Sequence, residues 1–358
     1  VGEEETYKIG ALFAVTGPAS PLGTPEKETA EMLEEEINAA GGVNGHPIEV
    51  IVYDTETDET KAVTLAKKLI EQDQVLAIIG PSTSGETLAI VDTVEQAEVP
   101  LVACAAATQI VDPVKKWVFA APQTSDAAVQ EIYDYAKSKG IDRVAIMTAS
   151  DGFGDGGKES LEKFTDAKGI TIVATESFGK TDTDMTPQLT KISGTDAQAV
   201  IVWGTNPGPA VIAKNMKQLN MEIPLFQSHG VANSTFIELA GDAANGVILP
   251  AGKLMVHQDI SDDDPQKEVL TEYAEAFQAE FEKPANTFGG HAYDALYIVT
   301  GALEKAGSDK AKLRDEIEKT DFVGTAGVFQ MSAEDHNGLG KGSFVMIEIV
   351  DGTWTQAQ

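Results

Sequence analysis

Two short polar clusters are the residues best suited to hold a small molecule. Ser82, Thr83 and Ser84 follow the apolar run Leu76–Ile79, and Ala106, Ala107 and Thr108 follow Leu101–Cys104. If both runs are strands of an open parallel sheet, both clusters lie at strand carboxyl ends, where such sheets place their ligand crevice. Ser84 reads as the N-cap of a helix over 85–98, whose first backbone N–H groups have no internal partners and suit a carboxylate. The plain alternative is a serine that only caps its helix. Glu86, in the first turn, suits the helix dipole but repels a bound anion unless its side chain points away.

Other motifs carry less. Gly152-Phe153-Gly154-Asp155-Gly156-Gly157 satisfies G-x-G-x-x-G, with Glu176 at the distance a ribose-binding acid would occupy. Against a dinucleotide site, Ala149-Ser150-Asp151 separates it from the preceding strand, and Asp151 and Asp155 would face a pyrophosphate with no arginine nearby. Gly80-Pro81-Ser82-Thr83-Ser84 ends in serine where a nucleophile elbow needs glycine. The histidines (46, 229, 257, 291 and 336) form no metal-ligand pair, and the acidic clusters lack calcium-loop spacing. Cys104 closes an apolar strand with no base to activate it, the setting of a small buried hydrophobe. Leu22, Phe153 and Trp203 follow or end expected strands, which suits apolar walls of a cleft, although such residues commonly serve the core.

The elements that position these residues alternate without pause. Tyr7–Val15 is apolar on both faces, as a buried parallel strand must be. Thr24 and Pro25 read as the cap and first position of a helix that Gly41-Gly42 closes. Further strands are expected at Ile48–Asp54, 76–79 and 101–104, and the pattern restarts after Gln123. The fold class is therefore α/β: two Rossmann-like lobes with parallel-type sheets flanked by helices.

With 358 residues the chain can build two domains of ordinary size. A net charge of -31, from 57 acidic and 26 basic residues, offers nothing to nucleic acid or anionic lipid. Arg143 and Arg314 are the only arginines, so bidentate phosphate clamps are scarce. One cysteine excludes an internal disulfide, and no apolar run approaches the roughly 20 residues that span a bilayer, so no direct membrane insertion is expected. Val1, followed by Glu3-Glu4-Glu5, suits a processed amino terminus and hence export.

In this order, IGALFAVTGPASPLGTPEKETAEMLEEEINAAGGVNGHPIEVIVYDTETD, IIGPSTSGETLA, VPLVACAAAT, SDGFGDGG, SHGVANSTF and AYDALYIVTGALEKAG resemble extracytoplasmic solute-binding proteins of the branched-chain amino acid ABC-transporter class. The likeness runs from about Lys8 to the last strand. It implies the type I periplasmic binding protein fold, with three crossings near Gln123, Ala251 and Met331. The lobes would be 1–122 plus 251–331 and 123–250 plus 332–358, closing by a hinge on a ligand. It also implies that Ser84, Ala106 and Thr108 hold a ligand carboxylate.

Where amino-acid binders of this class offer two tyrosines and an acid that pairs with the ligand ammonium, this chain reads Leu22, Phe153 and His229. Burying an ammonium without a counter-charge costs several kcal/mol; Asp294 and Glu86 are the remaining candidates for that charge. The expected ligand is an aromatic or aliphatic carboxylate without a free ammonium, or a branched-chain-type amino acid if a counter-charge is present. Leu22, Phe153 and Trp203 would hold its body and His229 a polar substituent. The resemblance implies a monomer, periplasmic or extracellular and free or lipid-anchored, that serves a membrane permease, needs no cofactor or metal and catalyses nothing. The alternatives are a ligand-sensing module on the same fold and a dinucleotide-dependent enzyme using Gly152–Gly157.

Overall fold

A computed structural model describes residues 5–358. The described chain divides into two compact units, one built from residues 5–123 plus His257–Ser343 and the other from Thr124–Val256 plus Phe344–Gln358.

The first unit opens with β1 (Tyr7–Phe13), α1 (Ser20–Ala39), β2 (Ile48–Asp54), α2 (Glu59–Glu71), β3 (Ala77–Ile79), α3 (Ser84–Ala97), β4 (Leu101–Ala103) and β5 (Val118–Ala120). Its sheet has the order β2-β1-β3-β4-β5, and every pair in it is parallel. Leu12, Ile78, Leu101 and Ala103 are buried against Ala62, Ala66 and Leu69 of α2 and Ile90 and Val94 of α3. This is the continuous apolar strand character that a sheet covered on both faces requires.

The second unit follows with α4 (Ser125–Ser138), β6 (Arg143–Ala149), α5 (Gly152–Lys163), α6 (Thr165–Lys168), β7 (Thr171–Phe178), α7 (Thr186–Ser193), β8 (Ala199–Trp203), α8 (Gly208–Gln218), β9 (Leu225–Gln227), α9 (Ser234–Ala240) and β10 (Ile248–Gly252). The chain then returns to the first unit for α10 (Lys267–Phe281), α11 (Thr287–Ala306), α12 (Lys310–Glu318) and the hairpin β11 (Asp321–Val323) and β12 (Val328–Gln330). It ends in the second unit with β13 (Phe344–Val350) and β14 (Thr353–Gln356). The second sheet runs β14-β13-β10-β9-β8-β6-β7, parallel from β10 to β7 and antiparallel at β13 and β14.

Two expectations need correcting. Thr24 is not a helix cap: α1 begins at Ser20, Pro25 lies inside it, and the Thr24 hydroxyl donates to the Val15 carbonyl at 3.3 Å. Pro21 already supplies the proline that the first turn favours. The last change of unit falls after Ser343 rather than near Met331. The segment between them is tied to the first unit: the Asn337 amide donates to the Ala120 and Pro122 carbonyls at 3.0 and 2.7 Å. His336 Nδ1 meets the Val118 carbonyl at 2.8 Å, and its ring stacks on Phe119.

Candidate functional site

In the first unit, adjacency of β1, β3 and β4 brings three strand ends side by side. The Ala14 N–H donates to Ser82 Oγ at 2.9 Å, and the Cys104 N–H donates to the Pro81 carbonyl at 3.2 Å. The cap of α3 is Thr83, not Ser84. The Glu86 N–H donates to Thr83 Oγ1 at 3.4 Å, and the Thr83 hydroxyl donates to Glu86 Oε2 at 2.5 Å. Thr83-x-x-Glu86 is a capping-box spacing, the local sequence signal that separates Thr83 from the adjacent serine.

Relieved of capping, Ser84 takes a different role. Its Oγ accepts the Ala107 N–H at 3.1 Å, which joins the first residue of α3 to the loop after β4. A hydroxyl that accepts one bond still has its proton to donate. Ser84 and Thr108 are buried and Ala106 is half-buried. Leu22 is buried in α1, one turn before Glu26 on the same helix face.

Glu26 carries no local signal that sets it apart from the other acids of α1. It is fully buried, and its Oε2 accepts the Ser82 hydroxyl at 2.5 Å. Burial pushes its carboxyl well above the ordinary glutamate value; the Ser82 bond opposes this, and the nearby Glu86 adds to it. Asp294, a candidate counter-charge, is spent elsewhere. Its Oδ1 accepts the Thr325 N–H at 2.6 Å, and its Oδ2 accepts the Ala326 N–H at 2.9 Å and the Thr325 hydroxyl at 3.1 Å. Burial nevertheless raises it to about 7. The Cys104 thiol is held well above its ordinary range, mainly by burial, so it stays unreactive.

In the second unit the ends of β6, β8 and β9 gather the aromatic residues. Asp151 caps α5 by accepting the Gly154 N–H at 2.8 Å, and Phe153 follows in the first turn. Trp203 ends β8, and His229 follows the Ser228 turn after β9. Phe153 lies 5.9 Å from His229 and 6.0 Å from Trp203 between ring centroids, and Trp203 lies 6.0 Å from His229. Phe344 of β13 joins them at 5.3 Å from His229. Trp203 is 0% exposed, so it packs against the other rings without reaching the surface.

The glycine motif is a packing device. A Cβ on Gly154 would stand 1.9 Å from the Ala149 carbonyl oxygen, and one on Gly157 would stand 2.0 Å from Trp203 Cδ1. The bare positions let α5 settle against β6 and β8. The Asp151 carboxylate occupies the helix start where a phosphate would go.

The sequence model for periplasmic binding proteins matches residues 6–353. This chain belongs to that family. A leucine-, isoleucine-, valine-, threonine- and alanine-binding protein of Pseudomonas aeruginosa is 27% identical over 324 residues, 89% of this chain and 83% of that protein. An extracellular ligand-binding receptor from Rhodopseudomonas palustris superposes with a TM-score of 0.92 at 27% identity, over 99% of this chain and 100% of that one. The branched-chain amino acid transporter substrate-binding protein of Streptococcus pneumoniae, solved with isoleucine, gives 0.88 at 26% identity over 99% of both chains. The architecture is that of a type I periplasmic binding protein, and the named relatives are binding proteins rather than enzymes.

Proposed function

We propose that this periplasmic binding protein is the exported solute receptor of an ABC importer, which captures a small organic carboxylate and delivers it to a membrane permease without catalysis. The carrying observation is the junction of Ser84 with Ala107. It places a buried hydroxyl beside the start of α3 and the Ala106–Thr108 backbone, a donor set suited to a carboxylate. Among the described residues no helix is long and apolar enough to cross a membrane.

The ligand class follows from the charges left to meet an ammonium. The Pseudomonas aeruginosa and Streptococcus pneumoniae relatives bind amino acids, whose ammonium needs a buried counter-charge. His229 stands where the sequence resemblance expects that acid, amid Phe153, Trp203 and Phe344. Asp294 is committed to the Thr325–Ala326 turn, and Glu86 accepts the Thr83 hydroxyl. These assignments favour an acid with an apolar or aromatic body and no ammonium.

A thermal-shift screen against leucine, valine, benzoates, isocaproate and 2-oxo acids tests this reading. Stabilisation by the acids lacking an ammonium is expected. A large response to leucine or valine with none to their desaminated counterparts would overturn the ligand class, and silence across the panel would overturn the carboxylate reading.

A further inference from the structure

Phe344 is the first residue of the second unit after Ser343 ends the first. Its backbone is anchored on both sides. Phe344 pairs with Gly252 in the β10–β13 ladder, and the carbonyl of Ser343 accepts the Gln123 side-chain amide at 3.2 Å. Its ring, 8% exposed, is therefore delivered to a defined place.

That place is beside His229. The two rings stand at 83°, edge to face. Phe153 and Trp203 meet the same imidazole at 67° and 69°. Position 230 is kept bare for this arrangement, because a Cβ on Gly230 would stand 2.7 Å from Phe153 Cε1 and 2.9 Å from the Gly204 carbonyl oxygen. Aromatic pairs prefer such tilted geometries, and three of them acting on one imidazole restrict the plane in which it can lie. Both ring nitrogens lie in that plane, so fixing it fixes the directions in which His229 can donate or accept. A leucine at 344 would keep the site apolar but could not act as a ring.

Resting on the function proposed above, in which His229 receives a polar substituent of the ligand, we propose that Phe344 is a positioning residue for ligand choice. It holds the imidazole in the plane that aims a nitrogen at a neutral hydrogen-bonding substituent, a hydroxyl or keto group, on an otherwise apolar carboxylate.

The 358-residue chain as wild type, F344L and F344Y is compared by calorimetric titration with para-hydroxybenzoate and benzoate, by melting temperature without ligand, and by imidazole nitrogen NMR without ligand, with His229 assigned through H229Q. F344L is expected to weaken para-hydroxybenzoate by about ten-fold while benzoate changes less than about three-fold, the difference of one oriented hydrogen bond. It should also shift the His229 nitrogen resonances, and F344Y should restore both. Equal losses for the two acids, or unmoved His229 resonances, would overturn the proposal. Should wild type bind neither acid, the parent function fails on its own, and the unliganded resonances of F344L still decide whether Phe344 positions His229.

Discussion

Ser84 Oγ accepts the Ala107 N–H at 3.1 Å, so a single hydroxyl joins the start of α3 to the loop that follows β4. The bond is available because Thr83, one residue earlier, has taken over the capping of the helix. Two neighbouring hydroxyls thus hold different jobs, and substitution separates them. S84A should weaken the acid that gives the largest thermal shift by about ten-fold or more, measured by calorimetry, since it removes a donor and leaves the Ala107 N–H without its acceptor. T83A should instead cost about 1 kcal/mol of folding stability, measured by urea denaturation.

Glu26 makes stability depend on pH. Burial raises its carboxyl well above the ordinary value of 4.5, so the folded protein retains a proton that the unfolded chain releases. The associated stability is complete below 4.5 and is lost as pH rises through the folded-state value. E26Q keeps the site neutral throughout. Its melting temperature relative to wild type should climb steadily as pH is raised from about 4.5, and a difference independent of pH would refute the assignment.

Gly157 and Gly301 should respond oppositely to alanine. A Cβ at Gly157 meets the fully buried Trp203 ring at 2.0 Å, whereas at Gly301, inside α11, nothing lies within 4 Å. G157A should destabilise by about 1–3 kcal/mol through overpacking and alter the Trp203 fluorescence. G301A should stabilise by up to about 1 kcal/mol through helix propensity alone. Thermal denaturation of the two variants side by side checks the contrast.

Much of this was legible from local pattern. The strands of the first sheet are short apolar runs, the helices between them repeat apolar residues at helical spacing, and the polar clusters at 82–84 and 106–108 sit where strand ends must be. Thr83-x-x-Glu86 is equally legible, although Ser84 beside it is also a favoured cap residue. Phe153, Trp203 and His229 each stood out by their place after a strand. Nothing local said that they meet, because β6, β8 and β9 become neighbours only when the sheet assembles.

The sequence by itself determined the alternation of strands and helices, the strand ends that carry the candidate site, and the family. These follow from burial periodicity and turn chemistry, which act over a few residues. Tertiary structure alone decided the rest. Glu26 looks like one more acid on an acidic helix until Ser82, far along the chain, closes over it. The hairpin region through Ser343 stays with the first unit because Asn337 and His336 find carbonyls between Val118 and Pro122. Phe344 reaches His229 because β13 pairs with β10. In each case the deciding partner is distant in sequence, and a buried polar atom or ring takes its role from the partner that folding brings to it.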